Sequence, residues 1–144
     1  MRIVKLSPKV FGFDTVEACT AYFEHVVPWQ KDSFYFAGEG HPIAKDGLQS
    51  EEIVVFSYSG NIVCVAKTKE LLINDDDIPV GIQIHNSSKK IFYNTPKLVD
   101  LEGLLHSLGY NSKVVGAQGW NIIEQQYEKQ VIDFIMKHDW SNYL

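Results

Sequence analysis

The sequence contains little arginine, little cysteine and no long apolar run. Arg2 is the only arginine among 13 basic residues, which face 18 acidic residues and leave a formal net charge of -5. A protein that holds a nucleic-acid duplex by its phosphates needs several clustered basic side chains. The charge balance therefore excludes a surface coated with basic residues, and any phosphate contact has to be local.

Two further absences bear on location. No segment approaches the roughly 20 consecutive apolar residues that span a bilayer, and the opening residues MRIVKLSPKV do not read as a signal peptide. Cys19 and Cys64 lie in apolar stretches without C-x-x-C spacing, which predicts buried free thiols in a reducing compartment. We expect a cytoplasmic protein with no membrane partner.

Motifs that carry catalysis or bind metals are also missing. The five histidines are widely spread and make no pair with metal-ligand spacing, and the acidic run Asp75–Asp77 lacks the alternating ligands of a calcium loop. The sequence has neither a G-x-S-x-G elbow nor a glycine-rich phosphate loop. We therefore predict no metal, no cofactor and no catalytic residue, although an enzyme on nucleobase-like substrates, with His41 as its titratable group, stays open.

What the sequence does contain indicates one α+β domain over residues 1–144 with a strongly curved, mostly antiparallel sheet. Glu52–Tyr58 and Asn61–Lys67 are rich in Val, Ile and aromatic residues and flank Ser59-Gly60, which predicts a tight hairpin. Val80–His85 and Ile91–Tyr93 suggest a second hairpin. The opening segments 2–6 and 9–13 are also strand-like.

Helix signals alternate with these strands. Asp14 and Glu17 match a capping box ahead of a helix over about 15–26, which Pro28 is expected to end. A leucine stripe over 98–108 predicts a second helix that stops at Gly109. Asn121 and Glu124 are expected to cap a final helix through about Lys137, followed by a tail over 138–144 that is either loose or packed through Trp140.

Aromatic side chains are plentiful, and several fall at the ends of elements, where they can line the mouth of a pocket. Rings in such a pocket hold a planar ligand by stacking, while amides and hydroxyls read its edge. Each of these rings can instead be part of the core, and the lysines can be ordinary solubilising residues. The predicted ligand-binding residues are Trp29, Tyr35, Ser57, Tyr58, Ser59, Gln118 and Trp120. The predicted backbone-contacting lysines are Lys67, Lys69, Lys89 and Lys90, with Lys97 beside them.

The hairpin over residues 51–66 resembles the central β-hairpin of the PUA-like superfamily, which includes the PUA, ASCH, EVE and YTH domains. Trp29, the aromatic triplet Phe34-Tyr35-Phe36 and the Gln118-Gly119-Trp120 segment add to the likeness, which covers about a third of the chain. Cys64 stands where these domains often carry a small, glycine-like residue, and the ASCH-type Gly-x-Lys-x-x-x-Arg signature is absent.

The resemblance implies a small β-barrel with flanking helices. It also implies a non-catalytic module that recognises single-stranded or modified RNA or DNA, with a modified or flipped base in an aromatic pocket. Extruding a base costs a few kcal/mol, and this mode needs less positive charge than backbone binding. The alternative, favoured by the acidic balance, is a protein-interaction or small-metabolite-binding module without a nucleic-acid role.

Overall fold

The computed structural model describes residues 1–6, 8–35, 51–110 and 120–141. In this part of the chain the fold is α+β, as predicted, with helices packed on a mixed sheet. The strands are β1 (Arg2–Leu6), β2 (Ser33–Tyr35), β3 (Ile53–Tyr58), β4 (Asn61–Ile73), β5 (Pro79–Ile84), β6 (Lys90–Ile91) and β7 (Trp120–Ile122).

The strands lie in the order β2-β5-β4-β3-β1-β7, and β6 pairs with β4 beside this path. β1 runs parallel to β3, and the other pairings are antiparallel. β3 is buried from Val54 to Tyr58 because it lies inside the sheet and is covered on both faces. Within the described residues, β2 and β7 do not pair with each other, so the sheet does not close into a barrel.

The hairpin of β3 and β4 forms as predicted, with Ser59 and Gly60 in left-handed backbone conformations at the turn. The second predicted hairpin is wrong. β5 pairs with β2 and with the second half of β4, whereas β6 pairs with the first half of β4 through Cys64 and Val65. β4 extends to Ile73, beyond the predicted end at Lys67. It is therefore long enough to pair with both β5 and β6.

The first half of the chain contains more helix than predicted. Pro8–Phe11 is a helical turn rather than a strand, since proline is well suited to the first position of a helix. A longer helix, called here the N-terminal helix, begins at Val16 and ends at Trp29. Its N-cap is Thr15, whose hydroxyl accepts a hydrogen bond from the Ala18 amide at 3.1 Å, so the predicted Asp14 capping box is wrong.

Pro28 reshapes the N-terminal helix instead of ending it. The helix is α-helical over Val16–Ala21, widens to a π-helix over Tyr22–Val26 and closes with one α-helical turn over Val27–Trp29. The Val27 amide donates to the Tyr22 carbonyl. In a π-helix each carbonyl accepts from the amide five residues later, so the Phe23 carbonyl would accept from residue 28. That residue is Pro28, which has no amide hydrogen. The Lys89 ammonium donates to that carbonyl instead, at 3.1 Å.

The second half of the chain holds shorter helices. A 3-10 turn over Leu98–Leu101 continues as an α-helix over Glu102–Ser107, and Gly109, at a φ of 94°, ends it as predicted. The C-terminal helix is α-helical over Glu128–Ser141 after a 3-10 turn. It therefore runs through part of the predicted loose tail, and Asn121 lies in β7 rather than in a helix cap.

Hydrophobic side chains form two separate cores, one on each face of the sheet. The aromatic core packs under the N-terminal helix and contains seven rings, from Phe11, Phe13, Tyr22, Phe23, Phe34, Phe56 and Tyr58. The aliphatic core packs under the later helices and is built mainly of Ile3, Val55, Ile62, Val65, Leu98, Leu101, Leu105, Ile123, Val131 and Ile135. Residues alternate between the cores along β1, where Ile3 joins one and Val4 the other.

Candidate ligand-binding surfaces

Trp29 and Tyr35 are predicted pocket rings that face solvent. Trp29 is 88% exposed at the end of the N-terminal helix, and Tyr35 is 47% exposed on β2. Phe34, between them in sequence, is buried in the aromatic core. Because successive side chains of a strand point to opposite faces, the burial of Phe34 turns Tyr35 outward. We call Trp29 and Tyr35 the exposed aromatic pair.

Tyr35 lies against a glycine on the neighbouring strand. Its register partner on β5 is Gly81. A Cβ atom at position 81 would approach the Phe34 carbonyl oxygen to 2.5 Å and the Tyr35 ring carbon Cδ1 to 3.2 Å. Glycine is therefore required for β2 to pair at this distance, and the Tyr35 ring lies beside bare backbone with about half of its surface open to solvent.

A strained turn joins the two exposed rings. Lys31 and Asp32 both have left-handed backbone conformations, with φ values of 59° and 57°. Such conformations cost non-glycine residues roughly 1–3 kcal/mol each unless the surroundings hold them. Two hydrogen bonds stabilise this turn. The side-chain amide of Gln83 donates to the Lys31 carbonyl at 2.9 Å, and the backbone amide of Ile84 donates to the Asp32 carbonyl at 2.9 Å.

Gln30 adds a second constraint on the same turn. Its side-chain amide donates to the Ser33 carbonyl at 2.7 Å and to the Tyr22 hydroxyl at 3.2 Å. The turn is thus connected to β2 and to the aromatic core at once. Trp29 thus lies at the end of the helix, directly before a turn that several hydrogen bonds stabilise.

The structure does not bring Tyr58 to this surface. Tyr58 is 3% exposed, and its hydroxyl donates to the Phe13 carbonyl at 2.7 Å. Ser57 is also buried, with its hydroxyl 3.4 Å from the Val4 carbonyl oxygen, whereas Ser59 is exposed in the hairpin turn. Ser57 and Tyr58 therefore contribute to the packing of β3, so the ring of Tyr58 does not share the exposed surface on which Trp29 and Tyr35 lie.

Three other predicted residues lie partly or wholly beyond what the structure describes. Gln118 and His41 fall outside the described residues. Trp120 lies in β7 as the register partner of Val4, and nothing further is described of its side chain.

The predicted lysines divide into two groups. Lys89 and Lys97 have internal partners, the Phe23 carbonyl and the Asn61 side chain respectively. The Lys90 ammonium lies 5.6 Å from the centre of the Phe92 ring. Lys67 and Lys69, on β4, are exposed. Of the proposed cluster, Lys89 is thus a structural residue that contacts a backbone carbonyl of the π-helix, and Lys67 and Lys69 have exposed side chains.

A groove that sequence reasoning missed lies beside the N-terminal helix. Its volume is about 220 Å³, and its walls are formed by Val16, Glu17, Thr20, Ala21, Glu24, Tyr93 and Thr95. The one sequence signal for it is the spacing of the small residues Thr20 and Ala21 between two glutamates on one side of the helix. The opposite wall comes from a segment about 70 residues later, which no local pattern predicts. We call this feature the helix groove.

The two cysteines are buried free thiols, as predicted. Burial raises the pKa of each thiol from 9.0 to about 12. Both thiols therefore stay protonated at neutral pH, and a nucleophile requires the thiolate. In the part of the chain that the structure describes, no three His, Cys, Asp or Glu side chains gather as metal ligands.

None of the described helices combines the length and the apolar composition that crossing a bilayer requires. No protein-family model matches the chain, and no curated protein matches it.

Proposed function

We propose that this protein is a non-catalytic binding module that recognises single-stranded or modified RNA or DNA by stacking bases on the exposed aromatic pair. The observation that carries the proposal is the 88% exposure of Trp29 beside an ordered turn. Large rings are mostly covered in folded proteins, and a ring that is left this exposed offers a flat apolar face on which a planar ligand can stack. Tyr35 supports the proposal because its half-exposed ring lies beside Gly81.

Stacking can supply useful affinity without a basic surface. Each stacked base contributes roughly 1–3 kcal/mol, and every base offers a flat face. The turn between the two rings provides one cation, Lys31, and β4 provides the exposed Lys67 and Lys69. This small number of cations fits a chain with a net charge of -5, since stacking on exposed rings requires few phosphate contacts.

The proposal includes the finer predictions that the resemblance implies. We propose that this open sheet, in which β4 pairs with β3 on one side and with β5 and β6 on the other, is a variant of the curved PUA-like sheet, and that the protein acts in the cytoplasm as one domain. The burial of Ser57 and Tyr58 is a reason to place the base on an exposed surface rather than in an enclosed pocket. Ser59 and Gln118 stay predicted edge readers of this surface, and Trp120 a predicted further ring.

Fluorescence anisotropy with labelled ten-nucleotide RNA and DNA strands, with and without a methylated base, tests the proposal at low salt. Trp29→Ala and Tyr35→Ala should each weaken binding about five- to hundredfold, because each removes one stacking ring. Trp29→Phe and Tyr35→Phe keep a ring and should bind within about threefold of the parent. Tyr93→Ala, which removes a 57% exposed ring elsewhere, is the matched control. Absence of binding at high micromolar concentration, or equal binding by Trp29→Ala and the parent, would contradict the proposal.

A second candidate function has its own support. The loop over Asn74–Asp77 places three consecutive acidic residues beside the end of β4, and such charge repels phosphate. This observation favours a protein-interaction or small-metabolite-binding module. Passage through heparin at low salt without retention, together with self-association on a sizing column, would favour this function over nucleic-acid binding.

A further inference from the structure

The helix groove has the size of a small-metabolite site. At about 220 Å³ it falls below the range of roughly 300–1,000 Å³ that is typical of pockets for drug-sized ligands. It is open along one side of the N-terminal helix. Its lining residues Glu17, Thr20, Ala21 and Glu24 follow one side of the helix at spacings of three, one and three positions, so a ligand that contacts all of them lies along the helix axis.

The floor of the groove is made of small side chains. Ala21 contributes one methyl group, and Thr20 uses its hydroxyl inside the helix, where it donates to the Glu17 carbonyl at 2.9 Å. Val16 extends the floor at one end. On the far side the Thr95 hydroxyl donates to the Asn61 side chain at 3.1 Å. The floor is thus mainly apolar, which suits an alkyl chain.

The two ends of the groove are acidic. Glu17 and Glu24 lie seven positions apart, on the α-helical and the π-helical part of the N-terminal helix respectively. Seven steps of a regular α-helix span roughly 10 Å, and the smaller rise of the π-helical part shortens this separation slightly. Among the described residues that line the groove there is no Lys or Arg. Two basic groups outside this lining contact the same helix: the Lys89 ammonium donates to the Phe23 carbonyl, and His25 Nε2 lies 3.7 Å from the Glu24 carboxylate.

Tyr93 forms the wall that faces the helix and is 57% exposed. Aromatic rings attract ammonium groups and also pack against methylenes. An apolar floor, an aromatic wall and a carboxylate at each end together match a molecule with an alkyl middle and two cationic ends.

We propose that the helix groove binds a linear aliphatic diamine, with one ammonium at Glu17, the other at Glu24 and the methylenes between Ala21 and Tyr93. A single amine would satisfy one carboxylate only, so the separation of the two glutamates specifies the length of the ligand. This site is separate from the exposed aromatic pair, and it holds whether or not the protein binds nucleic acid.

Two-dimensional ¹⁵N–¹H NMR titration at low salt tests the proposal with α,ω-diaminoalkanes of four to ten carbons and with spermidine. Amide shifts should concentrate at Thr20, Ala21, Glu24, Tyr93 and Thr95. Affinity should pass through a maximum at the chain length whose two nitrogens lie about 10 Å apart, and hexylamine, which has one ammonium, should bind at least threefold more weakly.

Variants separate a specific site from general charge attraction. Glu17→Gln and Glu24→Gln should each weaken the best diamine about two- to fivefold, in line with exposed ion pairs, and the double variant should weaken it further. Asp75→Asn with Asp76→Asn removes the same net charge from a distant loop and should leave binding unchanged. Ala21→Leu places a larger helix-forming side chain in the groove and should abolish binding, while thermal melting reports whether each variant folds.

Three outcomes would overturn the proposal. The first is a lack of groove shifts at ten millimolar diamine, and the second is affinity that does not depend on chain length. The third is equal loss of binding in the distant Asp75/Asp76 variant, which would indicate attraction to net charge alone. Binding of a lysine-rich peptide in the groove without binding of any diamine would assign the groove to a protein partner instead.

Discussion

The two faces of the sheet are stabilised by different kinds of side chain. In the aromatic core the rings meet at defined angles, and the centroid of Phe56 lies 4.8 Å from that of Phe23 and 5.1 Å from that of Phe34. The aliphatic core relies on branched side chains such as Ile62 and Leu105. Ring pairs depend on orientation, whereas aliphatic packing depends mainly on volume. We therefore expect the aromatic face to tolerate substitution less well.

Both candidate binding surfaces lie on the aromatic side. The exposed aromatic pair and the helix groove are built on the N-terminal helix and its following turn, and this helix is positioned by Phe23 in the aromatic core. The helices over the aliphatic core cover the other face of the sheet. The comparison indicates that the aromatic face positions the candidate binding residues, while the aliphatic face contributes mainly to stability.

Substitution of Phe56 should have the largest effect. Phe56→Ala should lower the free energy of unfolding by about 3–5 kcal/mol because it leaves a cavity between two rings. Phe56→Leu should still cost about 2 kcal/mol, since it removes both ring pairs. Leu105→Met, a nearly volume-conserving change in the aliphatic core, should cost less than about 1.5 kcal/mol. Urea denaturation measures all three. Equal costs for Phe56→Leu and Leu105→Met would refute the difference between the cores.

Substitution by alanine at two glycines should change the free energy of unfolding in opposite directions. Gly81→Ala should destabilise by about 1–3 kcal/mol, because its Cβ would lie 2.5 Å from the Phe34 carbonyl oxygen and force β2 away from β5. Gly103→Ala lies in a helix with no atom within 4 Å of the added methyl, so it should stabilise by about 0.5–1 kcal/mol. Thermal or urea unfolding measures both. Similar effects of the same sign would show that close approach at Gly81 is unimportant.

Local patterns were sufficient for part of the fold. The hairpin of β3 and β4 follows from two β-rich runs around Ser59-Gly60, because its pairing and its turn are adjacent in sequence. The stop at Gly109 follows likewise from one residue. The pairing of β6 with β4 was not predictable, since Val80–His85 and Ile91–Tyr93 look equally able to pair with each other. Only the length and bend of β4 decide between the two arrangements.

The candidate site shows the same division. The exposure of Tyr35 is consistent with alternation along its strand, but the burial of Tyr58 depends on the carbonyl of Phe13, which lies 45 residues away in sequence. A tyrosine at a strand end has the same local pattern whether its hydroxyl contacts water or a distant carbonyl. The role of Lys89 was hidden for the same reason, because its partner exists only once Pro28 has shaped the π-helix.

Alkaline pH should act on the aromatic core in particular, since Cys19 and Cys64 both belong to it. Burial raises the pKa of both thiols from 9.0 to about 12 in the folded protein. Below pH 9 both states keep the proton. Between pH 9 and pH 12 the unfolded chain loses it first, so the free energy of unfolding should fall as pH rises, by about 1 kcal/mol per thiol per pH unit.

Urea denaturation between pH 8 and pH 10 measures this dependence. The double variant Cys19→Ala with Cys64→Ala should have lower stability at pH 8, because it removes buried side chains, but a flatter decline toward pH 10. An equally steep decline in the double variant would assign the effect to other groups, such as Tyr22, whose pKa is also raised by burial.

The smallest expected effects come from two tyrosine hydroxyls, one on each side of the sheet. Tyr58→Phe leaves the Phe13 carbonyl without its 2.7 Å donor in a partly buried setting, and we expect a loss of about 1–1.5 kcal/mol. Tyr110→Phe removes the acceptor of the Glu124 amide at 2.8 Å in an exposed setting. Water can replace that acceptor, so the loss should be about 0.5 kcal/mol. Urea denaturation measures the loss of unfolding free energy in each variant. The difference between the two losses reports how well water is excluded from the Phe13 carbonyl at the edge of the aromatic core. If Tyr58→Phe costs no more than Tyr110→Phe, water reaches Phe13, and the aromatic core is then more open beside the N-terminal helix than its burial indicates.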